Sequence, residues 1–269
     1  MFVKLFVRLL DVSPTVKGFI WKQWYQHLAG YHIPDWTFMN YGFMAVDEKP
    51  LVLDPDDEVN RYFIQLYHHV ATGTDLKNLN VLEVGSGRGG GASYVTRYLG
   101  PHSVTGLDFS KKAILFSQKH HASVKNLTFQ QGNAEALPFA NHSFDVVMNV
   151  ESSHCYGCLD KFLNEVCRVL KPGGFFLFAD FRSATDLNQL NKSLAETGMT
   201  IIRQTNITPF ILCSLDLDHK RKQKLIHSAF KKHLLHSFEE FAGLKGSQIY
   251  EAFVSGKMIY HSYVMKSPG

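Results

Sequence analysis

The sequence lacks a hydrophobic run long enough to cross a membrane and a block of positive charge dense enough to bind nucleic acid. Its 269 residues are 45% hydrophobic, but no stretch approaches the ~20 consecutive apolar residues that a spanning helix needs. The net charge is +4, and the densest basic segment, residues 220–224, is typical of a solvated helix face. We therefore expect a globular protein with no helical membrane span and no nucleic-acid partner.

Cysteine is also scarce. Of the four cysteines, only Cys155 and Cys158 form a C-x-x-C pair. A structural zinc site would need a second such pair, and the histidines and carboxylates show no metal-ligand spacing. The sequence therefore predicts free thiols, no metal site and a cytoplasmic location.

Short apolar strands alternate with helical segments between residues 71 and 182. The strands read as unbroken apolar runs such as VLEV, FDVV and FFLFADF, which is typical of a parallel sheet covered on both faces. Residues 134–139 are expected to form a loop with a short helix, and residues 171–174 (KPGG) a tight turn. We predict an α/β protein with a doubly wound, mostly parallel sheet (a Rossmann-like fold). Its ligand should lie at the carboxyl edge, near the point where the strand order reverses.

The two ends of the chain depart from this alternation. Residues 199–205 and 258–266 read as late strands, which predicts an antiparallel extension of the sheet. Residues 1–70 are predicted to form a helical cap and an entry helix, and residues 71–269 the ligand-binding domain, together one structural unit. The first ten residues show an amphipathic helical pattern without the features of a secretory signal. Such a helix is suited to packing on its own domain, to an apolar substrate or to peripheral membrane contact.

A glycine-rich segment, VLEVGSGRGGGAS, follows the first strand and marks the ligand site. Glycine lets a turn backbone approach a ligand closely, and Gly85, Gly87 and Gly90 fit the dinucleotide pattern G-x-G-x-x-G. Glu83 argues against a dinucleotide, because the pyrophosphate and this carboxylate would both be negative at one helix N-terminus. S-adenosylmethionine carries a sulfonium and an ammonium cation and no phosphate, so it suits acidic neighbours.

The E-x-G-x-G-x-G pattern, with GNAEALPF, FDVV and RVLKPGGFF at later positions, resembles the class I S-adenosylmethionine-dependent methyltransferases. The resemblance implies that Asp108 binds the ribose hydroxyls and that Asn133, where this family usually has Asp, binds adenine with the backbone that follows it. The segment FMNYGF resembles a piece that small-molecule methyltransferases fold over the cofactor, which places Tyr41 and Asn40 near the methionine part. The predicted cofactor-binding residues are Glu83, Gly85, Gly87, Gly89, Asp108, Phe109, Asn133, Ala134, Asn149 and Tyr41.

The acceptor site is predicted in the loop after the fourth strand, which reads NVESSHCY. A hydroxyl acceptor must lose its proton during methyl transfer, usually to a histidine or a carboxylate. His154 is the candidate general base, since an ordinary imidazole is neutral near pH 7. Glu151 is the second candidate, either to orient His154 or to contact the ammonium group of the cofactor.

A closer resemblance rests on LYHHVA, GGGASYVTR, NVESSHCY and FAGLKGSQIYEAFVSGKMIYHSYVM. These segments are similar to the mycobacterial phthiotriolone and phenolphthiotriolone dimycocerosate methyltransferases, which O-methylate a lipid hydroxyl. The resemblance implies an O-methyltransferase that acts on a hydroxyl of an apolar lipid- or polyketide-like small molecule.

Two alternatives stay open from the sequence. An N-methyltransferase or sterol C-methyltransferase would need an aromatic cage for a developing cation, for which Tyr25, Trp36 and Tyr41 are available. A non-catalytic cofactor-binding partner protein would keep the glycine loop without turnover. The sequence carries no signal for the oligomeric state.

Overall fold

A computed structural model describes residues 36–45, 49–232 and 234–269. The predicted N-terminal helix and Tyr25 lie outside the described residues. The strands are β1 Asn80–Val84, β2 Ser103–Asp108, β3 Leu127–Gln131, β4 Phe144–Val150, β5 Leu170–Ser183, β6 Thr200–Asn206 and β7 Met258–Lys266. The helices are α1 Arg61–Ala71, α2 Gly90–Tyr98, α3 Lys111–His120, α4 Leu159–Val169, α5 Ala184–Glu196, α6 Thr208–Ala229, α7 Leu235–Phe241 and α8 Gln248–Val254. Short 3-10 turns cover Pro55–Asn60 and Ser153–Cys155.

The strands form one seven-stranded sheet in the order β3-β2-β1-β4-β5-β7-β6. Strands β1 to β5 pair in parallel, whereas β7 lies antiparallel to both β5 and β6. The prediction of a doubly wound, mostly parallel sheet with a late antiparallel extension is confirmed. The strand order reverses between β1 and β4, so a crevice opens at their carboxyl ends.

Helices cover both faces of the sheet, as the apolar strands require. On one face, α4 buries Phe162, Leu163 and Val166, whose spacing places them on one side of the helix. On the other face, α1 buries Ile64 and Tyr67 in the same core as residues of β1, β4 and β5. The entry helix thus packs in the main core, while the division at residue 70 stays a prediction.

Two local expectations differ from the structure. Residues 171–174 lie within the bounds of β5 as an irregularity, because β4 pairs with Leu170 and next with Phe175 and skips them. The C-terminal segment pairs with them instead, since Gly173 N donates to Pro268 O (2.9 Å) and Ser267 N to Gly174 O (2.8 Å). Residues 134–139 form turns without a helix. Asn133 Oδ1 accepts from the amide of Glu135 (3.1 Å), and Pro138 cannot donate within a helix. Tertiary pairing and local side-chain bonds override the sequence signals at both places.

Residues 36–45, which we call the strap, run across the carboxyl edge without regular secondary structure. Arg88 Nη1 donates to Trp36 O (2.9 Å), and Gly90 N donates to Thr37 O (3.3 Å) at one end. At the other end, Phe43 N donates to Tyr62 O (2.9 Å). The strap is therefore tied to the glycine segment after β1 and to α1, and it covers the crevice between them.

Candidate functional site

The glycine loop, residues 85–91, turns tightly between β1 and α2. Gly85, Gly87 and Gly89 all adopt positive φ angles, of 79°, 52° and 81°, which residues with a β-carbon rarely reach. The amides of Gly85 and Ser86 both donate to Leu107 O on the neighbouring strand (2.7 and 3.0 Å). The loop backbone is thus fixed beside the carboxyl end of β2, with space above it for a ligand.

Glu83 lies behind this loop and is 2% exposed. Its carboxylate accepts a hydrogen bond from Tyr67 Oη (2.7 Å), and the nearby backbone amide of Ala92 acts to lower its pKa. Burial raises the pKa of Glu83 to about 7, against the lowering effect of the Tyr67 hydrogen bond. The protein's own acid therefore lies beside the first turn of α2, where a dinucleotide site would bind phosphate. This arrangement fits a cofactor without phosphate.

Asp108 ends β2 and faces the loop. One carboxylate oxygen accepts from Gly87 N (2.9 Å) and the other from Ser110 N (2.8 Å). Burial raises the pKa of Asp108, and these two hydrogen bonds act in the opposite direction. Each oxygen keeps a second lone pair, so the carboxylate can accept two further hydrogen bonds, as a ribose diol would offer.

A first cavity of about 1060 Å³, partly open to solvent, lies above the loop. Its walls bring together seven of the predicted site residues. They are Gly85, Gly87, Asp108, Phe109, Asn133, Ala134 and Glu151. Apolar surface from Leu107 and Phe109 and polar atoms from Asp108 and Asn133 suit a nucleoside, and we call this the cofactor cavity.

Four of the predicted cofactor-binding residues do not line this cavity. Glu83 and Gly89 shape the loop from behind, and Tyr41 lies on the wall of a second cavity. Asn149 is fully buried beneath the loop, where its Nδ2 lies 2.8 Å from Val84 O and 2.7 Å from Ser152 Oγ. These residues support the loop or the neighbouring cavity, and direct cofactor contact by them stays a prediction.

The second cavity, of about 1230 Å³ including open space, adjoins the first. The two share as walls the strap residues Phe38, Met39 and Asn40 and also Glu151, which directly follows β4. Most of the remaining lining is apolar, from α1, α6 and α7. It includes Trp36, Phe63, Phe181, Leu225, Ile226, Phe230, Phe238 and Phe241. We call it the acceptor cavity, because its apolar walls suit an apolar molecule next to the cofactor cavity.

His154 lines the acceptor cavity and is held by a buried acid. Its Nδ1 lies 2.8 Å from Asp180 Oδ1, and its backbone amide donates to Asp180 Oδ2 (3.0 Å). The imidazole also packs on the ring of Phe181, with centroids 4.4 Å apart. Burial alone lowers the pKa of His154, but Cys155 and Asp180 outweigh it and raise the pKa to about 10. The imidazole is therefore charged near pH 7, unlike the neutral imidazole that the sequence predicts, and it must lose a proton before it can act as a base.

Glu151 stands where the two cavities meet. It has a φ of 47°, unusual for a residue with a side chain, and both carboxylate oxygens accept from Tyr41 N (2.9 and 3.2 Å). Burial raises the pKa of Glu151 to about 8. A strained backbone that directs a buried acid to this junction is typical of a functional site.

Asp180 was not among the predicted residues, although the sequence carries a signal for it. It interrupts the apolar run FFLFADF of β5, and a carboxylate in a buried strand needs partners. The structure shows Ser153 Oγ and Arg182 as those partners, besides His154, and they lower the pKa of Asp180 despite its burial. Tyr67 was also missed, since its position on a helix gives no hint of its bond to Glu83.

Two absences concern the described residues only. No helix among them is long and apolar enough to cross a membrane. Within the same residues, no three or more His, Cys, Asp or Glu side chains come together as a metal site.

Comparisons with known proteins assign the family. A methyltransferase domain model matches residues 75–243. The phthiotriol/phenolphthiotriol dimycocerosates methyltransferase of Mycobacterium tuberculosis is 38% identical over 245 residues, covering 91% of this chain and 90% of that protein. The fatty-acid O-methyltransferase of Mycolicibacterium smegmatis is 44% identical over 173 residues, 64% of this chain and 63% of that protein. The crystal structure of the cyclase SpnF shares the fold, with a TM-score of 0.71 at 17% identity, covering 94% of this chain and 96% of that one.

The predicted resemblance is confirmed by a relative that spans nine-tenths of the chain. The chain therefore belongs to the methyltransferase family that includes the mycobacterial phthiotriol/phenolphthiotriol dimycocerosates methyltransferases, and it is an S-adenosylmethionine-dependent methyltransferase.

Proposed function

We propose that this enzyme transfers a methyl group to the hydroxyl oxygen of an apolar, lipid- or polyketide-like small molecule, with His154 as general base. One observation carries the proposal: His154, held by the buried Asp180, lines an apolar cavity that adjoins the cofactor cavity through Glu151. The relatives named for lipid substrates support an apolar acceptor.

The proposed cofactor site uses the loop and the acids around it. S-adenosylmethionine, when bound, supplies an electrophilic methyl group on a sulfonium centre. We assign the ribose diol to Asp108, the adenine to Asn133 and Ala134, and the cofactor's ammonium group to the junction that Glu151 forms. We assign an apolar contact with the cofactor to Phe109, which lines the cofactor cavity and is 39% exposed.

The proposed role of the acceptor cavity is to position the hydroxyl and to exclude water. The aromatic walls bury the apolar part of the acceptor, which contributes ~25 cal/mol per Å² of buried apolar surface. Asp180 accepts a hydrogen bond from Nδ1 of His154, and we assign to Nε2 the proton that leaves the hydroxyl. Holding the oxygen at attack distance supplies much of the acceleration.

Methyl transfer from labelled cofactor to matched apolar alcohols, amines and sterols tests this function. We expect a methyl ether as the main product and a loss of ~10²–10⁴-fold in turnover for His154→Ala, the usual contribution of general-base catalysis. The exposed His102→Ala is the matched control and keeps full turnover. An N-methyl or C-methyl product would favour the alternative methyltransferases. Binding of S-adenosylhomocysteine without any transfer would favour a non-catalytic partner protein.

A further inference from the structure

Lys222 lines the acceptor cavity, yet the proposed function gives it no role. It lies on α6 and is only 5% exposed. Its Nζ is 3.3 Å from Tyr41 O and 3.5 Å from Ala242 O, and it lies 5.0 Å from the ring centroid of Phe63. The ammonium group is thus held by two long contacts to carbonyl oxygens, against an aromatic wall of the cavity.

No carboxylate of the described residues forms an ion pair with this ammonium. Asp218, one helical turn earlier, gives both of its oxygens to Arg221 (2.5 and 2.6 Å). Both oxygens of Glu151 accept from the amide of Tyr41. Burial lowers the pKa of Lys222 to about 8, although Asp218 and Glu151 raise it from a distance. A buried cation is costly unless an anion reaches it, so the cavity favours a ligand that brings one.

The contacts of Tyr41 place this cation at the same end of the cavity as the reacting groups. The carbonyl oxygen of Tyr41 accepts from Lys222 Nζ, while the amide of Tyr41 donates to Glu151 at the junction with the cofactor cavity. His154 lies on the same wall as Glu151. The rest of the lining is mostly apolar, and Val59 and Leu225 at the cavity wall are 50% and 38% exposed. The cavity therefore has a positive polar end and an apolar body.

We propose that Lys222 forms a binding subsite for an anionic oxygen at the polar end of the acceptor, a carboxylate or a phenolate. This inference rests on the proposed function and narrows the acceptor hydroxyl to an acidic one attached to an apolar body. A neutral alcohol leaves the ammonium without an anion, whereas an ionised acid pairs with it and removes that cost.

Binding to the protein saturated with S-adenosylhomocysteine tests the subsite, with decanoate, decanol and a para-alkylphenol of matched length as probes. Calorimetric titration should show that an acidic probe binds tighter than decanol by about tenfold or more, since hydrogen bonds to charged groups are the stronger ones. Whether decanoate or the phenol binds tighter identifies the source of the anionic oxygen.

The variant Lys222→Met removes the charge and keeps an unbranched side chain, so the preference for acids over decanol should disappear. Lys222→Arg should restore it, and the exposed Lys224→Met should leave it unchanged. A structural role for Lys222 would weaken all three probes equally. Equal affinities in the unmodified protein, or a preference that survives in Lys222→Met, would overturn the subsite. The first of these results needs no variant, so a folding failure leaves the test intact.

The same probes separate this inference from the proposed function. Transfer to the phenol should depend on His154, whereas decanoate is already ionised and should be methylated without it. If no probe is methylated but acids bind tighter, the proposed function fails and the subsite stands. If decanol is bound and methylated as well as the acids, the subsite fails and O-methylation stands.

Discussion

His154 and Asp180 depend on each other for their charge. The raised pKa of His154, about 10, means that its stabilising contribution is complete below the ordinary value of ~6.5 and is lost as the pH rises through about 10. The lowered pKa of Asp180 means that its contribution is present above ~3.9 and is lost only at lower pH. Between these two pH limits His154 is a charged imidazolium beside the charged carboxylate of Asp180, and it loses its second proton less readily than free histidine does.

This charge state predicts the pH dependence of the reaction. A general base acts only when deprotonated, so kcat/KM for a neutral alcohol should rise with pH up to about 10. Asp180→Asn removes the carboxylate that stabilises the imidazolium, so the rise should move toward pH ~6.5 while the maximal rate falls by ~100-fold or more. Steady-state rates across pH for both proteins measure this. The same inflection in both profiles would show that another group controls the reaction.

The sequence predicted the residues that act through motifs and missed those that act through packing. Glu83 and Asp108 end consecutive strands of a parallel sheet, so their adjacency follows from topology alone. Asp180 ends up beside His154 only because β4 and β5 are neighbours and the loop after β4 folds back, which no spacing encodes. Lys222 lies on helix α6, after the regular alternation of strands and helices ends, so the sequence does not show which face of this helix lines the cavity.

At the scale of single elements, the first turn of helix α2 packs directly on helix α1. Gly91 lies in its first turn, and a β-carbon there would overlap the ring of Tyr67. That ring lines the cofactor cavity, and its hydroxyl binds Glu83. The close contact of the two helices thus fixes the acid that lies behind the glycine loop.

We therefore expect Gly91→Ala to destabilise the protein by ~1–3 kcal/mol, the usual cost of overpacking a core. In a free helix the same change would stabilise the helix by ~1 kcal/mol, so the sign of the change in unfolding free energy separates the two cases. Affinity for S-adenosylhomocysteine should also fall, because a displaced Tyr67 releases Glu83. Chemical denaturation and calorimetry measure the two effects.

The control for this prediction is a variant of Tyr67 on helix α1. Tyr67→Leu shortens the side chain that the new β-carbon meets, so the double variant should recover part of the stability that Gly91→Ala loses. Such non-additivity is expected only for residues in contact. Additive losses in the double variant would show that Gly91 matters for its backbone and not for its contact with α1.

The elements themselves were predicted with different success along the chain. Strands β1 and β4 follow from apolar runs bounded by turn residues, because burial on both faces leaves that signature, whereas β7 follows from an alternating pattern. Helices α7 and α8 were not predicted, since each has seven residues and buries a single large side chain, Phe238 and Phe253. A helix of two turns that buries one side chain shows too little hydrophobic periodicity for its sequence to predict it.

At the scale of the whole molecule, the two cavities are parts of one crevice that the strap divides. Glu151 and the strap residues Phe38, Met39 and Asn40 belong to both walls. A ligand that orders these residues from one side lowers the cost of ordering them from the other. Cofactor product and acceptor should therefore strengthen each other's binding by the same factor, as linkage requires.

Thermal unfolding tests the nature of the cofactor on the entire protein. S-adenosylhomocysteine at a hundredfold excess over its Kd should stabilise the fold by ~2.7 kcal/mol and raise Tm by about 5–10 °C. NAD⁺ at the same concentration should give no comparable shift, because its pyrophosphate would meet the carboxylate of Glu83 beside the first turn of α2. Asp108→Asn should lose most of the shift, whereas the exposed Asp75→Asn should keep it. A larger shift with NAD⁺ would assign the glycine loop to dinucleotides, and the position of Glu83 would then need another explanation.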